Sequence, residues 1–500
     1  MGTEGGMAGT QRPGTSELER YIERCRQRRR IPGLALGLVA GDRTVLARGF
    51  GFRDVAARAP ATVHTIFGIA SMTKSFVAMA LLRLAEHGAL RISDPVVRHL
   101  PGFRTPEPRR TAKITLAHLL SHSSGLPPLP SIYYTAARSL SRDPPYDPRV
   151  ARRVGIDPDH PPIDTYEGLL DYLATARYRL LGPPGAQFSY SNEGYGLLGA
   201  VIERTSGERF ERYLEEEVLR PAGMRHTMFD TGIMLREPEV TTLYSPNWHR
   251  PKGRLVASQE WWEDASLRAA GSLRTHVADL MRYVGIYLHG GRAGRERILS
   301  SASLEEMLRP RIEVAPGVAY GYGLAILPDY HGHLVAYHGG GLKGVASEFA
   351  VLPRDGIGGA VLANADGAPS HLALHAGINR LLGLPLATPF EEVPRGRRHP
   401  GPLGEYAGWY ASGEGIWCRI RPQRAGLRLD FRGIEYIDQG LRLRPVGDDG
   451  FALRKGGESR YFRFLRDERG KVRSVHLGWR WVRRRSVPEL RRARTGGIVW

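Results

Sequence analysis

The apolar positions of the chain change period along its length, and the changes divide it into regions. From Ser16 to Arg28, Leu18, Tyr21 and Ile22 share one face at helical spacing, with Ser16 as N-cap. IPGLALGLVAG and RTVLARGFGFRD then read as two strands joined at Gly41-Asp42, a hairpin pair. SMTKSFVAMALLRLAEHG is an apolar helix that Gly88 would end. ITLAHLLSHSSGLPP is a short helix followed by a Gly-Pro loop. Residues 133–163 are rich in Pro, Arg and Asp and show weak periodicity, so they are expected to be an inserted surface segment.

YEGLLDYLATARYRLL, YGLLGAVIERTSG, RFERYLEEEVLRPAGM and THVADLMRYVGIYLHGG carry helical spacing. YGYGLAIL, HLVAYHGGG and ASEFAVLPRDGIGGAVLAN are strand-like, the last split by a turn at Pro353-Arg354-Asp355-Gly356, and HLALHAGINRLLGL closes the region as a helix. The order predicts an α+β fold: an antiparallel sheet built from both ends of the region, covered by helices, beside a helical subdomain. Beyond EEVPRGRRHPGP the texture becomes short alternating strands separated by Gly and Asp turns, as expected for a small all-β barrel. The expected boundaries are a disordered tail over 1–15, a first domain over 16–388, a linker over 389–402 and a β-domain over 403–490.

Composition narrows the classes. The net charge is +20 in 500 residues. That could attract an acidic partner, but the basic residues are spread out and nearly all arginine, and no nucleic-acid motif accompanies them. Neither a nucleic-acid nor a membrane partner is expected, since no apolar run reaches the length of a span. The polar, Gly-rich N-terminus lacks the pattern of a secretory signal, so a cytoplasmic location is expected. Cys25 and Cys418 are far apart and are read as free thiols.

The candidate chemistry centres on Ser71-Met72-Thr73-Lys74. A serine at a helix start faces unpaired backbone N–H groups and the positive end of the helix dipole. Residues three apart share a helix face, which sets the Lys74 amine beside the Ser71 hydroxyl. Lysine is scarce here, and no other lysine has Ser three positions before it. Tyr190-Ser191-Asn192 follows a Gly/Pro turn. Its phenol could serve as a base if nearby cations lower its pKa, and Asn192 offers a donor and an acceptor. His338-Gly339-Gly340 ends a strand, and the N–H of Gly341 could act as a second oxyanion donor beside that of Ser71. His118 and His122 have i, i+4 spacing but no third ligand, and His122 is read as structural.

In order and spacing the three elements resemble the serine β-lactamase and penicillin-binding-protein superfamily, in the branch holding class C β-lactamases, D-aminopeptidases, carboxypeptidases and esterases. The phrases TIFGIASMTK, FSYSNEGYGLLG and HGGGLKGVASEFAVLP carry the likeness over residues 16–385. It implies a β-lactamase/transpeptidase-like fold and an acyl-enzyme on Ser71. Lys74 and Tyr190 would be catalytic, and Asn192, His338, Gly340 and Gly341 would bind substrate, with no cofactor and no metal. The third motif departs from the usual Lys-Thr-Gly, losing its hydroxyl and its permanent cation, which favours an ester, small amide or peptide over a β-lactam. The C-terminal region resembles the lipocalin-like modules attached to some peptidases of this family. Self-association into a homo-oligomer stays open, as does the alternative of a catalytically silent binding or assembly module.

Overall fold

The computed structural model describes residues 15–486 except 248–249, 398, 400, 433–436 and 456–457. Residues 1–14 of the expected tail, two linker positions and the last four residues of the expected β-domain therefore lie outside the described residues.

The first helix, Thr15–Arg28, begins just before the expected cap. It packs with the closing helix His371–Leu381 on one face of a nine-stranded antiparallel sheet. The strand order is Ile312–Ala315, Val318–Tyr320, Ala325–Tyr330, His333–Leu342, Val345–Leu352, Ile357–Ala363, Gly33–Ala40, Arg43–Asp54 and Ala59–Pro60. N-terminal strands thus close a sheet begun by C-terminal ones, as the alternation of elements predicts. Gly356, with φ of +64°, makes the expected turn after Pro353-Arg354-Asp355. YGYGLAIL yields two strands rather than one, because Gly321 to Leu324 turn the chain between them.

The other face carries the helical subdomain and the larger core, built around helix Thr73–Glu86, nearly all of whose residues are buried. Segment 133–163 differs from expectation. It forms short helices at Ser131–Thr135, Ala137–Leu140 and Pro148–Arg153, and it buries Tyr134, Leu140, Val150, Ile156 and Ile163 in that core. One- or two-turn helices leave no sustained period, so their apolar residues look scattered in sequence. A buried ion pair fastens the segment. Asp143 meets Lys343 at 2.6 Å and also accepts from Trp262 Nε1 at 3.2 Å.

Eight strands, from Gly408–Ala411 to Arg480–Arg485, form a closed antiparallel barrel in which the first pairs with the last. Between the two regions, Phe390 is buried and stacks on His375 at 3.6 Å, so the chain follows the sheet before entering the barrel. Cys25 and Cys418 are unpaired. Among the described residues no helix is long and apolar enough to cross a membrane.

Candidate active site

Ser71 lies on a 3₁₀ turn, Ala70–Met72, that leads directly into helix Thr73–Glu86. Ala70 has φ of +45°, a left-handed conformation costly for a residue with a Cβ. The turn is held from outside. Ile69 N–H donates to Leu273 O at 3.0 Å, Ser347 Oγ donates to Ile69 O at 2.8 Å, and Thr73 Oγ1 donates to Ala70 O at 2.7 Å. Strand His333–Leu342 runs alongside. A Cβ on Gly340 would fall 2.1 Å from Ile69 O and 2.3 Å from Ser347 Oγ, so this strand reaches the turn only with glycine there. At Gly341 a Cβ would meet nothing within 4 Å. That position borders the cleft.

Lys74 is fully buried. Its Nζ lies 3.0 Å from Ser71 Oγ, 2.9 Å from Asn192 Oδ1 and 2.6 Å from Ala270 O. Burial, and secondarily the Arg480 guanidinium, lower its pKa well below the ordinary lysine value. Tyr190 behaves oppositely. Burial pushes its phenol up to about 12, although Arg480 and a hydrogen bond with Ser71 pull it down. Lowering of the phenol by nearby cations, the condition attached to a Tyr190 base, is therefore outweighed by desolvation. Of the two, the amine is the group whose unprotonated, basic form the site favours.

His338 is buried, with Nδ1 at 2.6 Å from Gly339 O and Nε2 at 2.9 Å from Tyr320 Oη. A carbonyl oxygen can only accept, so Nδ1 carries the proton and Nε2 accepts from the Tyr320 hydroxyl. Burial, with Lys74 adding to it, pushes the imidazole down to about 3. It is neutral at pH 7 and supplies no cation. His122, at φ of +53°, accepts from the Ser191 backbone N–H at 3.2 Å and stacks on Tyr190 at 4.0 Å. His118 caps the helix Leu116–Leu120 through Thr115.

The barrel completes the surroundings. Glu414, in the turn before strand Trp417–Gln423, accepts from Asn192 Nδ2 at 3.1 Å and pairs with Arg480 Nε. The Arg480 guanidinium lies 4.1 Å from the centroid of the Tyr190 ring. The Trp479 ring is 5.6 Å from His338 and 5.7 Å from Tyr190. Trp481 Nε1 donates to Phe188 O at 2.6 Å, and Trp417 Nε1 donates to Val154 O at 2.8 Å. These residues were not singled out in the sequence; a Trp- and Arg-rich run, GWRWVRR, was the visible signal.

Two buried carboxylates, likewise not anticipated, flank the site. Glu193 accepts from Ser131 Oγ at 2.5 Å and from Ser191 Oγ at 2.6 Å, and burial raises its pKa to about 7. Burial raises Asp264 to about 6. Among the described residues no group of three or more His, Cys, Asp or Glu is placed to hold a metal ion. Ser71, Tyr190, His338 and Gly341 line one cleft of about 850 Å³, shared with Glu414 and Arg480.

The Beta-lactamase family matches residues 18–382. Protein flp of Staphylococcus aureus is 25% identical over 356 residues, which cover 70% of this chain and 62% of flp. The chain thus spans less than two thirds of that relative's length. Penicillin-binding protein 4* of Bacillus subtilis is 23% identical over 452 residues, 87% of this chain and 91% of its own. The octameric penicillin-binding protein homologue from Pyrococcus abyssi superposes with a TM-score of 0.64 at 28% identity, covering 94% of this chain and 99% of that one. That likeness includes the barrel.

Proposed function

From a chain that belongs to the Beta-lactamase family, and from a buried amine 3.0 Å from a hydroxyl at its cleft, we propose a serine hydrolase that works through an acyl-enzyme on Ser71. That contact is the observation carrying the reading. A buried lysine whose charge is disfavoured is a general base. Neutral Lys74 takes the Ser71 proton as Oγ attacks the substrate carbonyl. The N–H groups of Ser71 and Gly341 are the proposed donors to the oxyanion. Collapse expels the alcohol or amine, which receives a proton through Lys74 and Tyr190, and water then releases the acid by the reverse relay. Tyr190 acts in this scheme as a neutral proton relay and as partner to the base. Asn192 orients both Lys74 and the substrate.

The substrate class is an ester, or a small amide or peptide. Neutral His338 gives the third motif no charge to hold a carboxylate, and Arg480 is already paired with Glu414. Self-association into a homo-oligomer belongs to the same proposal, supported by the likeness to the octameric homologue.

The test is a fluorophosphonate probe followed by peptide mass spectrometry, with turnover of p-nitrophenyl acetate and nitrocefin measured alongside. The expected result is an adduct on Ser71, ester turnover well above nitrocefin turnover, and a loss on the order of 10⁴-fold in Ser71→Ala. An unlabelled Ser71 with ester turnover unchanged in Ser71→Ala would sink the reading and leave a binding module on a hydrolase fold.

A further inference from the structure

The cleft does not end at Ser71. It continues past Trp479 and Arg480 into one end of the barrel, where Ile416, Phe431, Leu441 and Leu453 line it. Inward positions alternate along barrel strands, and these residues occupy the inward rows. Ile416 continues Cys418 and Ile420, Phe431 continues Leu427 and Leu429, and Leu441 faces Leu429 across the ladder.

The two ends of the barrel interior differ. At the far end Tyr406, Phe451 and Phe464 are buried and packed together, with ring centroids 4.7 to 5.4 Å apart, so that end is filled. At the end facing Ser71 the inward aliphatic side chains remain partly exposed although they pack on the same core. An eight-stranded barrel is wide enough to be filled by its side chains or to accept one small guest. Here the far half is filled and the near half presents an apolar floor. Glu414, Arg460 and Arg480 stand around it as a polar rim. Apolar floor, a few polar groups and one continuous wall to a nucleophile are the features of a small-molecule site.

We infer that the near end of the barrel is a subsite for an apolar chain carried by the substrate whose carbonyl reaches Ser71. The occupant is part of the molecule being cleaved, because floor and nucleophile share one cleft. Its chemistry is an aliphatic or aryl-aliphatic chain of several carbons, on either side of the scissile bond. This rests on the hydrolase reading above.

The experiment uses the full chain and two substrate series. One is p-nitrophenyl acetate, butyrate and octanoate; the other is methyl, butyl and octyl acetate. In at least one series kcat/KM should rise by at least about tenfold from the four-carbon to the eight-carbon chain, as burial of successive methylenes requires. Leu441→Arg should abolish that rise while p-nitrophenyl acetate turnover is retained, which also reports folding. Leu453→Lys, on another strand, is read in the same way should Leu441→Arg fail to fold. Flat series with intact acetate turnover would overturn the subsite and leave the hydrolase standing. A chain-length rise that persists in both folded variants would overturn it too, placing the apolar contact elsewhere. No turnover of any ester and no Ser71 adduct would overturn the hydrolase reading and the subsite together.

Discussion

The hydrolase region and the barrel treat the same site in different ways. The first buries most of its chemistry: Lys74, Tyr190 and Asn192 are buried between an open sheet and a helical core, with Ser71 half-buried at the cleft, and burial decides whether Lys74 and Tyr190 carry charge. The barrel closes on itself around its own apolar interior and meets the site at one end, through the turn residues Glu414 and Trp479 and the start of the last strand, Arg480 and Trp481. A nucleophile needs a rigid, desolvated frame, which an interior provides. Charge and access can be adjusted from outside, which turns provide.

The largest expected effect sharpens the first half of that comparison. Gly340→Ala drives a methyl into Ile69 O and Ser347 Oγ, both part of the frame around the Ser71 turn. A displaced nucleophile costs roughly 100-fold in kcat. Gly341→Ala keeps its backbone N–H and its methyl meets no atom within 4 Å, so it should lower kcat far less than Gly340→Ala. Equal losses in the two variants would show that the frame is less rigid than argued.

Acid should separate the two regions. Burial pushes His338 in the hydrolase region and His476 in the barrel down to about 3. The unfolded chain binds a proton on each as pH falls below about 6.5, while the folded chain does not. Each therefore withdraws about 2 kcal/mol of stability between pH 7 and pH 5. In the hydrolase region burial also holds His122 well below the ordinary imidazole value, and His118 and His276 below it, which adds to the loss. Of the two regions, however, only that one has a counterweight among the described residues. Glu193, raised to about 7, gains its proton earlier in the folded state than in the unfolded one, so its contribution to stability grows over the same window. Asp264, raised to about 6, works in the same direction. Hydrogen exchange at pH 5 and pH 7 should show barrel amides losing protection first. Uniform loss across both regions would break the comparison.

The smallest effect concerns how the barrel tunes the amine. Arg480 lowers the Lys74 pKa and Glu414 raises it. If neutral Lys74 is the base, kcat/KM rises with pH through its pKa. Arg480→Gln should move that acid limb to higher pH, and Glu414→Gln should move it to lower pH. Shifts of the same sign would mean that the pair acts through the position of Asn192 or Tyr190 rather than through charge.

Much of this was legible in the residues. The spacing of Ser71 and Lys74, the turn glycines and the alternation beyond residue 402 are local patterns, and local patterns survive in a one-dimensional reading. Segment 133–163 was not legible, because its burial comes from short helices pinned by the distant partners Lys343 and Trp262. The role of the C-terminal region was equally hidden. Glu414 and Arg480 lie more than 200 residues from Asn192 and Tyr190 in sequence, and nothing in the alternation of strands says which turns face a cleft.

By itself the sequence determined the family, the order of elements, and the placing of a hydroxyl and an amine on one helical turn. The tertiary structure decided their protonation. Whether Lys74 is neutral, whether Tyr190 keeps its proton and whether His338 carries charge depend on desolvation and on charges brought in from other elements. Those are properties of surroundings, and a chain acquires surroundings only when it folds.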